Sequence, residues 1–275
     1  MNCFACFDIE TIPHPDLPPD CIPTFDESAV SLGNLKDPLK IDAKIAEARA
    51  RFEASLSRTM ATDPDLCMVV AFCGCIVDGS SRLYTSPEIP RDEGDEFILL
   101  SEALGWLRNC LRDGLPIVTF NGASFDLPVL FRRSLYEDVA IAPSVLEKLT
   151  QPPARNRHHI DLMQALAVRS PFSGKPEVKS LSYYLHRLGL SGKTPGMDGS
   201  LVYPLWQERR FEEITAYCRD DVDRTADLFQ RVSPWLSLPA REFFNSPAAA
   251  AGLSGHPVSG DTPPPAQQKG FSNVA

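Results

Sequence analysis

Short apolar runs along the chain predict buried strands. The clearest stretches of strand-forming residues cover positions 3–9, 66–77, 82–85 and 115–120. Asp78 and Gly79 form a turn signal between the second and third runs, so we expect a hairpin there. Asn121 and Gly122 end the fourth run. The pattern therefore predicts a set of strands that begins almost at the N-terminus.

Apolar residues that recur every three or four positions predict helices between and after these strands. The predicted helices cover positions 41–58, 97–111, 127–136, 160–168, 181–188 and 211–232. Strands and helices alternate along much of the chain, which favours an α/β domain whose mixed β-sheet is flanked by helices.

The composition is that of a soluble globular protein, with 43% hydrophobic and 23% charged residues. No run approaches the ~18 apolar residues of a membrane helix, and the acidic N-terminus lacks the basic start of a signal peptide. We therefore expect a cytoplasmic protein without a membrane partner. Its eight cysteines are then expected to be reduced. Cys3 and Cys6 are poorly placed to share a zinc ion, because a strand points them to opposite faces.

The net charge of −9 argues against a protein that coats duplex DNA without specificity. The charge is uneven, however, because positions 150–193 hold seven basic and two acidic residues, a local charge of +5. Such a segment is either a solvated basic face or a surface that contacts a polyanion. Lys193 lies at its end, in the loop SGKTPGMDG, and is a candidate phosphate contact.

Two stretches depart from the alternation of strands and helices. A proline-rich stretch and the predicted helix at 41–58 separate the first two strands, so positions 13–65 form an insertion. Of the 30 residues from 246 to 275, 19 are Pro, Gly, Ala or Ser, which predicts a disordered tail. We therefore expect one domain over residues 1–240, with the insertion inside it and the tail outside it.

The first strand carries two carboxylates in the sequence FDIET. Asp8 and Glu10 are separated by one residue and therefore point to the same face. Like charges on one face repel each other, so this face is either open to solvent or holds a cation. The second interpretation requires further oxygen ligands from other elements.

Two later positions supply such ligands. Asp126 opens the helix that follows the fourth strand, where it is either an N-cap or a ligand at the carboxyl edge of the sheet. Tyr217 and Asp221 are four residues apart on the apolar stripe of the last helix. An acid there is costly unless it is paired or bound to a metal. Asp220 and Asp223 lie off that stripe and are predicted to be solvated.

Converging carboxylates of this kind suit phosphodiester hydrolysis. Two magnesium or manganese ions about 3.5–4 Å apart stabilise both the entering and the leaving oxygen, and magnesium prefers oxygen ligands. Asp8, at the centre of its strand, is the candidate bridge between the ions, and Glu10, Asp126 and Asp221 complete the set. Tyr217 lies one helical turn from Asp221 and is a candidate for orienting the attacking water.

Taken in order, FDIET, NGASFD and YCRDD resemble the three exonuclease motifs of the DEDDy 3′–5′ exonucleases. The block KSLSYYLHRLGLSGKTPGMDGSLVYPLW and the following FEEITAYCRDDVDRT resemble the stand-alone group related to the proofreading exonuclease domain of family-B DNA polymerases. FDIET alone is a weak signal, whereas the ordered triple is a strong one, and the resemblance spans positions 4–230. Ala216 stands where a sister group has histidine, so the tyrosine version of the third motif applies.

The resemblance implies a ribonuclease H-like sheet, two divalent metal ions and stepwise removal of nucleotides from a 3′ end. The acids that it assigns to the metals are Asp8, Glu10, Asp126 and Asp221. It assigns Tyr217 to the attacking water. The residues that it implies around the terminal nucleotide are Thr11, Ile12, Asn121, Phe125 and Leu127. Asp161 is expected near the substrate channel or as a helix cap, outside the metal set.

Three functions stay open at this point. A narrow pocket for one splayed base suits a single strand, so the leading hypothesis is a magnesium- or manganese-dependent 3′–5′ exonuclease that acts on single-stranded DNA or frayed ends. An exoribonuclease is the second, because nothing in the sequence decides how a 2′-hydroxyl is read. The third is a catalytically silent module that binds nucleic acid. The four acids argue against it, since their mutual repulsion costs stability without a metal.

Overall fold

The computed structural model describes residues 3–85, 96–152, 156–169, 175–192, 196 and 198–236. Its strands are β1 (Cys3–Pro13), β2 (Cys67–Asp78), β3 (Ser81–Thr85), β4 (Ile117–Thr119), β5 (His159–Asp161), β6 (Val168–Arg169) and β7 (Pro176–Glu177). Its α-helices are α1 (Pro38–Thr62), α2 (Glu96–Arg112), α3 (Asp126–Tyr136), α4 (Pro143–Leu149), α5 (Leu162–Ala165), α6 (Leu181–Arg187), α7 (Val202–Gln207) and α8 (Phe211–Val232). The tail predicted at 246–275 lies outside the described residues.

The strand that carries FDIET, β1, lies at the centre of a five-stranded mixed sheet with the order β3-β2-β1-β4-β5. It pairs with β2 in an antiparallel and with β4 in a parallel arrangement, and β5 continues the sheet parallel to β4. The hairpin predicted between β2 and β3 turns at Gly79, whose φ of 60° favours glycine. Helices pack on both faces, so the predicted ribonuclease H-like α/β fold is confirmed.

Alternate residues of β1 point into two separate cores. Phe4 packs with α8, where it meets Phe229 edge-on with ring centroids 4.7 Å apart. Phe7 points to the opposite face and packs in the core that contains α2 and α3. Asp8 and Glu10 share the parity of Phe4, so their side chains point to the face that α8 covers.

A β-bulge in β2 lies opposite the second carboxylate. Glu10 pairs with Ala71, but Thr11 pairs with Val69, so β2 contains one extra residue at this point. Val70 and Ala71 therefore both face the core that contains α8. A bulge bends its strand and re-aims the neighbouring side chains, so this irregularity bears on the orientation of Glu10.

The insertion between β1 and β2 folds mainly as the long helix α1. Asp37 caps this helix, and Met60 is the one side chain among its 25 residues that is buried. Thr11 joins the helix to the sheet, because its hydroxyl donates a hydrogen bond to the carbonyl oxygen of Ala61 at 2.5 Å. The helix predicted at 41–58 is thus confirmed, and its C-terminal end lies beside the strand that carries the two carboxylates.

The helix predicted at 160–168 is wrong in its first part. The residues of β5 pair in parallel with β4 instead, and only the four residues of α5 are helical. A strand of three residues has too few positions to show a period of two, so its apolar residue was equally compatible with a helix. The pattern also did not predict α4 and α7, which contain two turns or fewer.

Among the described helices, none combines the length and the apolar character needed to cross a bilayer.

Candidate active site

The two carboxylates of β1 lie together with a buried thiol. Glu10 is buried and Asp8 is half-buried beside it. A carboxylate oxygen from each residue and the Sγ atom of Cys218 all lie within 4.8 Å of one another. The Cys218 thiol donates a hydrogen bond to the backbone oxygen of Asp8 at 3.4 Å, which joins α8 to β1. Sequence analysis did not single out Cys218, although its position beside Tyr217 on the buried face of a helix was a signal.

Asp126 joins this cluster from the start of α3. It is 2% exposed and is the first helical residue rather than the N-cap, which is Phe125. Burial raises the pKa of Asp126 to about 7, and hydrogen bonds from the backbone of Asp126 and Ile9 and from the Asp8 side chain oppose this rise. The Asp8 and Asp126 side chains therefore lie in direct contact.

One oxygen of Asp126 provides a test of whether a cation fits here. Its Oδ1 atom is buried and accepts no hydrogen bond from the residues that the structure describes. A buried carboxylate oxygen without a donor is costly, and a cation bound by that oxygen removes the cost. Asp8, Glu10 and Asp126 together offer the hard oxygen donors that Mg²⁺ and Mn²⁺ prefer. The residues present therefore fit a divalent cation.

The helix α8 carries Tyr217 and Asp221. Both side chains are buried, one turn apart on the inner face of the helix. Burial raises the pKa of the Tyr217 hydroxyl well above its usual value. Negative charges raise this pKa further, in the order Asp221, Glu10 and Asp8. The hydroxyl therefore stays protonated at neutral pH, and it lies within electrostatic reach of carboxylates from two separate elements.

The loop before Asp126 is held in place by Asp161. The Oδ1 atom of Asp161 accepts a hydrogen bond from the Asn121 backbone at 3.0 Å, and its Oδ2 atom accepts one from the Ala123 backbone at 3.0 Å. The same carboxylate caps α5 through the N–H group of Met163 at 2.9 Å. Asp161 is thus a helix cap, which was one of the two roles predicted for it. It also anchors the loop that leads to Asp126.

The turn in this loop packs directly against the end of β4. A Cβ atom on Gly122 would lie 2.4 Å from Oγ1 of Thr119, so a larger residue requires the turn to move. The Thr119 hydroxyl also forms a hydrogen bond with Nε2 of the buried His159 at 2.8 Å. This bond links the last two strands of the sheet beside the loop.

His159 makes the stability of the fold depend on pH. Burial lowers the pKa of His159 from 6.5 to about 4. The folded state disfavours the charged ring, so protonation of His159 favours unfolding. The fold therefore has its full stability above pH 6.5, the unfolded pKa of His159, and loses stability as the pH falls from 6.5 to 4, the folded pKa. The loss amounts to about 2 to 3 kcal/mol. We expect the free energy of unfolding of the metal-free protein, measured with urea, to fall more steeply in wild type than in His159→Gln across this pH window. Equal slopes contradict a buried neutral His159.

The residues implied around the terminal nucleotide differ in exposure. Thr11 is buried beside α1, and Ile12 lies fully inside the core that contains α8. Asn121 and Phe125 are half-buried in the loop before α3 and retain exposed surface. Leu127 is buried and lines a cavity of about 310 Å³ between α3 and β5. Their contact with a nucleotide stays a prediction. Lys193 lies outside the described residues.

The two acids on either side of Asp221, Asp220 and Asp223, are paired rather than solvated. Asp223 accepts a hydrogen bond from the Tyr84 hydroxyl at 2.5 Å and another from Arg82. Asp220 forms an ion pair with Arg224 at 2.9 Å. The prediction that both carboxylates are solvated is wrong, because β3 brings Arg82 and Tyr84 to Asp223, and the next turn of α8 brings Arg224 to Asp220.

The chain matches a family model described as a predicted 3′–5′ exonuclease related to the exonuclease domain of PolB, over residues 63–237. This range covers more than half of the 275 residues and includes Asp126, Tyr217 and Asp221. It begins after Asp8 and Glu10. No curated protein matches the chain. Exonuclease domains of this kind generally use divalent metals, and the chain provides a cluster of acidic side chains. The chain therefore belongs to the family of predicted 3′–5′ exonucleases related to the exonuclease domain of PolB, as its motifs predicted.

Proposed function

We propose that this protein is a metal-dependent 3′–5′ exonuclease that releases nucleoside 5′-monophosphates from single-stranded DNA or from frayed 3′ ends. The observation that supports the proposal is the contact between acidic side chains of β1 and α3, beside Tyr217 of α8, whose pKa the charges of Asp221, Glu10 and Asp8 raise. Burial raises the pKa values of Asp126 and Tyr217, and the negative charges of Asp221, Glu10 and Asp8 raise that of Tyr217 further. A silent binding module gains nothing from such a cluster.

The proposed metal ligands are the four motif acids, Asp8, Glu10, Asp126 and Asp221. The ions would be two Mg²⁺ or Mn²⁺ ions, which stabilise charge on the entering and leaving oxygens during phosphodiester hydrolysis when they are bound. Asp8 would hold the central position in this set, because its side chain contacts that of Asp126 and lies beside that of Glu10.

Tyr217 has the remaining chemical task in this proposal. Its protonated hydroxyl donates a hydrogen bond that orients the attacking water in line with the bond to be broken. The water oxygen then forms the new bond to phosphorus and gives up a proton to the solvent. The bond from phosphorus to the 3′-oxygen of the preceding nucleotide breaks, and that oxygen takes up a proton. The products are a nucleoside 5′-monophosphate and a strand shortened by one nucleotide.

A row of aromatic rings beside Asn121 favours a single-stranded substrate. Phe120 meets Tyr184 with ring centroids 6.3 Å apart, and Tyr184 meets Tyr183 at 5.8 Å. The Nζ atom of Lys179 lies 5.9 Å from the centroid of the Tyr183 ring. Unpaired bases stack on such rings while a nearby cation attracts the phosphate backbone, whereas the bases of a duplex are already stacked. Lys179, Tyr183 and Tyr184 belong to the basic segment at positions 150–193, so the proposal assigns that segment to contact with nucleic acid.

Removing the outermost ring of this row is expected to weaken substrate binding. Tyr183 is 46% exposed, so its loss leaves the core intact. We expect Tyr183→Ala to raise the KM for a single-stranded oligonucleotide about tenfold and to leave kcat within about twofold, because stacking contributes ~1–3 kcal/mol per base. Steady-state digestion of a fluorescent oligonucleotide measures both. Phe97→Ala removes a ring on α2 that is 49% exposed and is the matched control. An unchanged KM for Tyr183→Ala contradicts the stacking path.

Digestion of end-labelled oligonucleotides tests the proposed function. In the presence of Mg²⁺ or Mn²⁺, a 3′-labelled DNA strand is expected to release its label as a mononucleotide in the first step. A 5′-labelled strand is expected to shorten one nucleotide at a time. A matched RNA strand in the same assay distinguishes an exonuclease that prefers DNA from an exoribonuclease. If neither DNA nor RNA is shortened, the proposal is wrong.

The domain boundaries and the cellular location are also proposals. The nuclease domain would span residues 1–240 and include the insertion at about 13–65, and residues 246–275 would form a disordered tail. The proposed location is cytoplasmic, where the eight cysteines would be reduced.

A further inference from the structure

An almost completely buried ion pair joins α2 to α3. Glu96 and Arg133 are 0% and 2% exposed. The guanidinium group donates to both carboxylate oxygens, from Nε to Oε1 at 3.0 Å and from Nη2 to Oε2 at 2.7 Å. The same Nη2 atom donates to Glu137 at 3.0 Å. The proposed mechanism uses neither residue of the pair, although a buried charge pair is costly to desolvate.

This group of side chains is a salt-bridge network rather than a second metal site. His14, Glu96 and Glu137 do offer ligand-type atoms close to one another. Arg133, however, already donates hydrogen bonds to both carboxylates and supplies the positive charge that a metal would bring. The pair therefore acts through the elements that it connects, which are β2, α2 and α3.

On one side, the pair holds the bulge of β2. The Oε1 atom of Glu96 accepts a hydrogen bond from the backbone N–H group of Val69 at 2.8 Å. Val69 is the partner of Thr11 in the sheet, and the register of the two strands shifts between Glu10 and Thr11. Glu96 therefore binds β2 at the point where the strand changes register opposite a proposed metal ligand.

On the other side, the pair holds the helix that begins with Asp126. Arg133 lies seven residues after Asp126 on α3, which corresponds to about two helical turns. Because an α-helix is rigid over this distance, fixing the position of Arg133 also fixes the start of the helix. The Glu96 carboxylate is thus a single point at which β2 and α3 are both attached.

We propose that the Glu96–Arg133 pair sets the separation between the two halves of the metal site, Asp8 and Glu10 on β1 and Asp126 on α3. The inference rests on the proposed function, because it treats these acids as metal ligands. Glu96 and Arg133 are positioning residues that act through β2 and α3. The planar guanidinium binds both carboxylate oxygens in one fixed orientation, which a lysine ammonium group does not reproduce.

Arg133→Lys retains the charge but removes this two-point contact. We expect it to weaken manganese binding about tenfold, as the loss of groups that orient metal ligands generally does. The manganese concentration for half-maximal digestion is expected to rise by the same factor. Isothermal titration calorimetry with MnCl₂ measures the affinity, and digestion at increasing MnCl₂ measures the concentration for half-maximal activity. The calorimetric readout does not depend on nuclease activity.

Leu107→Ala is the matched control for loss of stability, because Leu107 is fully buried on α2 in the core that also contains residues of α3. Melting temperatures are measured for both variants. A tenfold weaker affinity in Arg133→Lys, with Leu107→Ala within about twofold of wild type at a similar melting temperature, supports the proposal. Equal losses in both variants, or unchanged affinity in Arg133→Lys, overturn it.

Two further outcomes separate this inference from the proposed function. If wild type binds no manganese, the inference about the Glu96–Arg133 pair and the proposed function are both wrong. If wild type binds manganese through these acids but digests no strand, the proposed function fails and the calorimetric comparison still decides the inference. Should Arg133→Lys not fold, the double variant Glu96→Gln/Arg133→Gln replaces it, since it leaves no unpaired buried charge and is judged by the same affinities.

Discussion

Asp8→Asn is expected to lower the rate of 3′-terminal digestion by about a thousandfold or more. The amide has nearly the same shape as the carboxylate but no charge, so the change removes the proposed ligand that contacts Asp126 and lies beside Glu10. Losing several kcal/mol of charge stabilisation in the transition state has this effect, because each ~1.4 kcal/mol changes a rate tenfold. Wild type and variant are compared on the same 3′-labelled oligonucleotide.

The control for this change is Asp78→Asn. Asp78 lies across from Cys3 at the opposite end of the same pair of strands, and its replacement is expected to leave the rate unchanged. The melting temperature of metal-free Asp8→Asn should equal or exceed that of wild type, since one of several like charges is gone. Digestion by Asp8→Asn at the wild-type rate means that Asp8 is not a metal ligand for this reaction.

Tyr217→Phe is expected to lower kcat about a hundredfold and to leave manganese affinity within about twofold of wild type. Burial and the neighbouring carboxylates keep the hydroxyl protonated, which suits a hydrogen-bond donor rather than a metal ligand. Phenylalanine fills the same space, so the inner face of α8 stays packed. Single-turnover digestion at saturating manganese gives the rate, and calorimetry gives the affinity.

Tyr203→Phe is the corresponding control, because Tyr203 lies on α7 and packs against the same core. We expect it to retain the wild-type rate. A Tyr217→Phe protein that is also fully active shows that the hydroxyl does not orient the water. A fall in manganese affinity that parallels the fall in rate assigns Tyr217 to metal binding instead.

The candidate site residues with local signals could be predicted from the sequence. Alternation in a strand decides which face Asp8 and Glu10 share, and the helical period does the same for Tyr217 and Asp221. The strand and the helix that carry them are found as β1 and α8. Asp126 was predictable as the opening residue of a helix after a buried strand.

Features that depend on distant contacts could not be predicted in this way. The strand β5 owes its conformation to pairing with β4, because three residues show no period of their own. Asp161 had the signal of a helix cap, but its bond to Asn121 joins residues 40 positions apart. Glu96 and Arg133 are 37 positions apart, and nothing local distinguishes them from the charged residues of an exposed helix surface.

The matched family range and the structure complement each other at β1. The range begins at residue 63, so the strand with Asp8 and Glu10 lies before it and α1 separates the two along the chain. In the structure, β1 pairs along its whole length with β2, which lies inside the range. The insertion therefore separates the first motif from the others in sequence, and the sheet brings it back beside them.

Anomalous diffraction from crystals soaked in MnCl₂ measures directly whether the motif acids bind a pair of ions. We predict two anomalous peaks about 3.5–4 Å apart, each within coordination distance of the acids Asp8, Glu10, Asp126 and Asp221. Manganese peaks found only elsewhere on the protein, or no peak at these four carboxylates under saturating manganese, contradict the account.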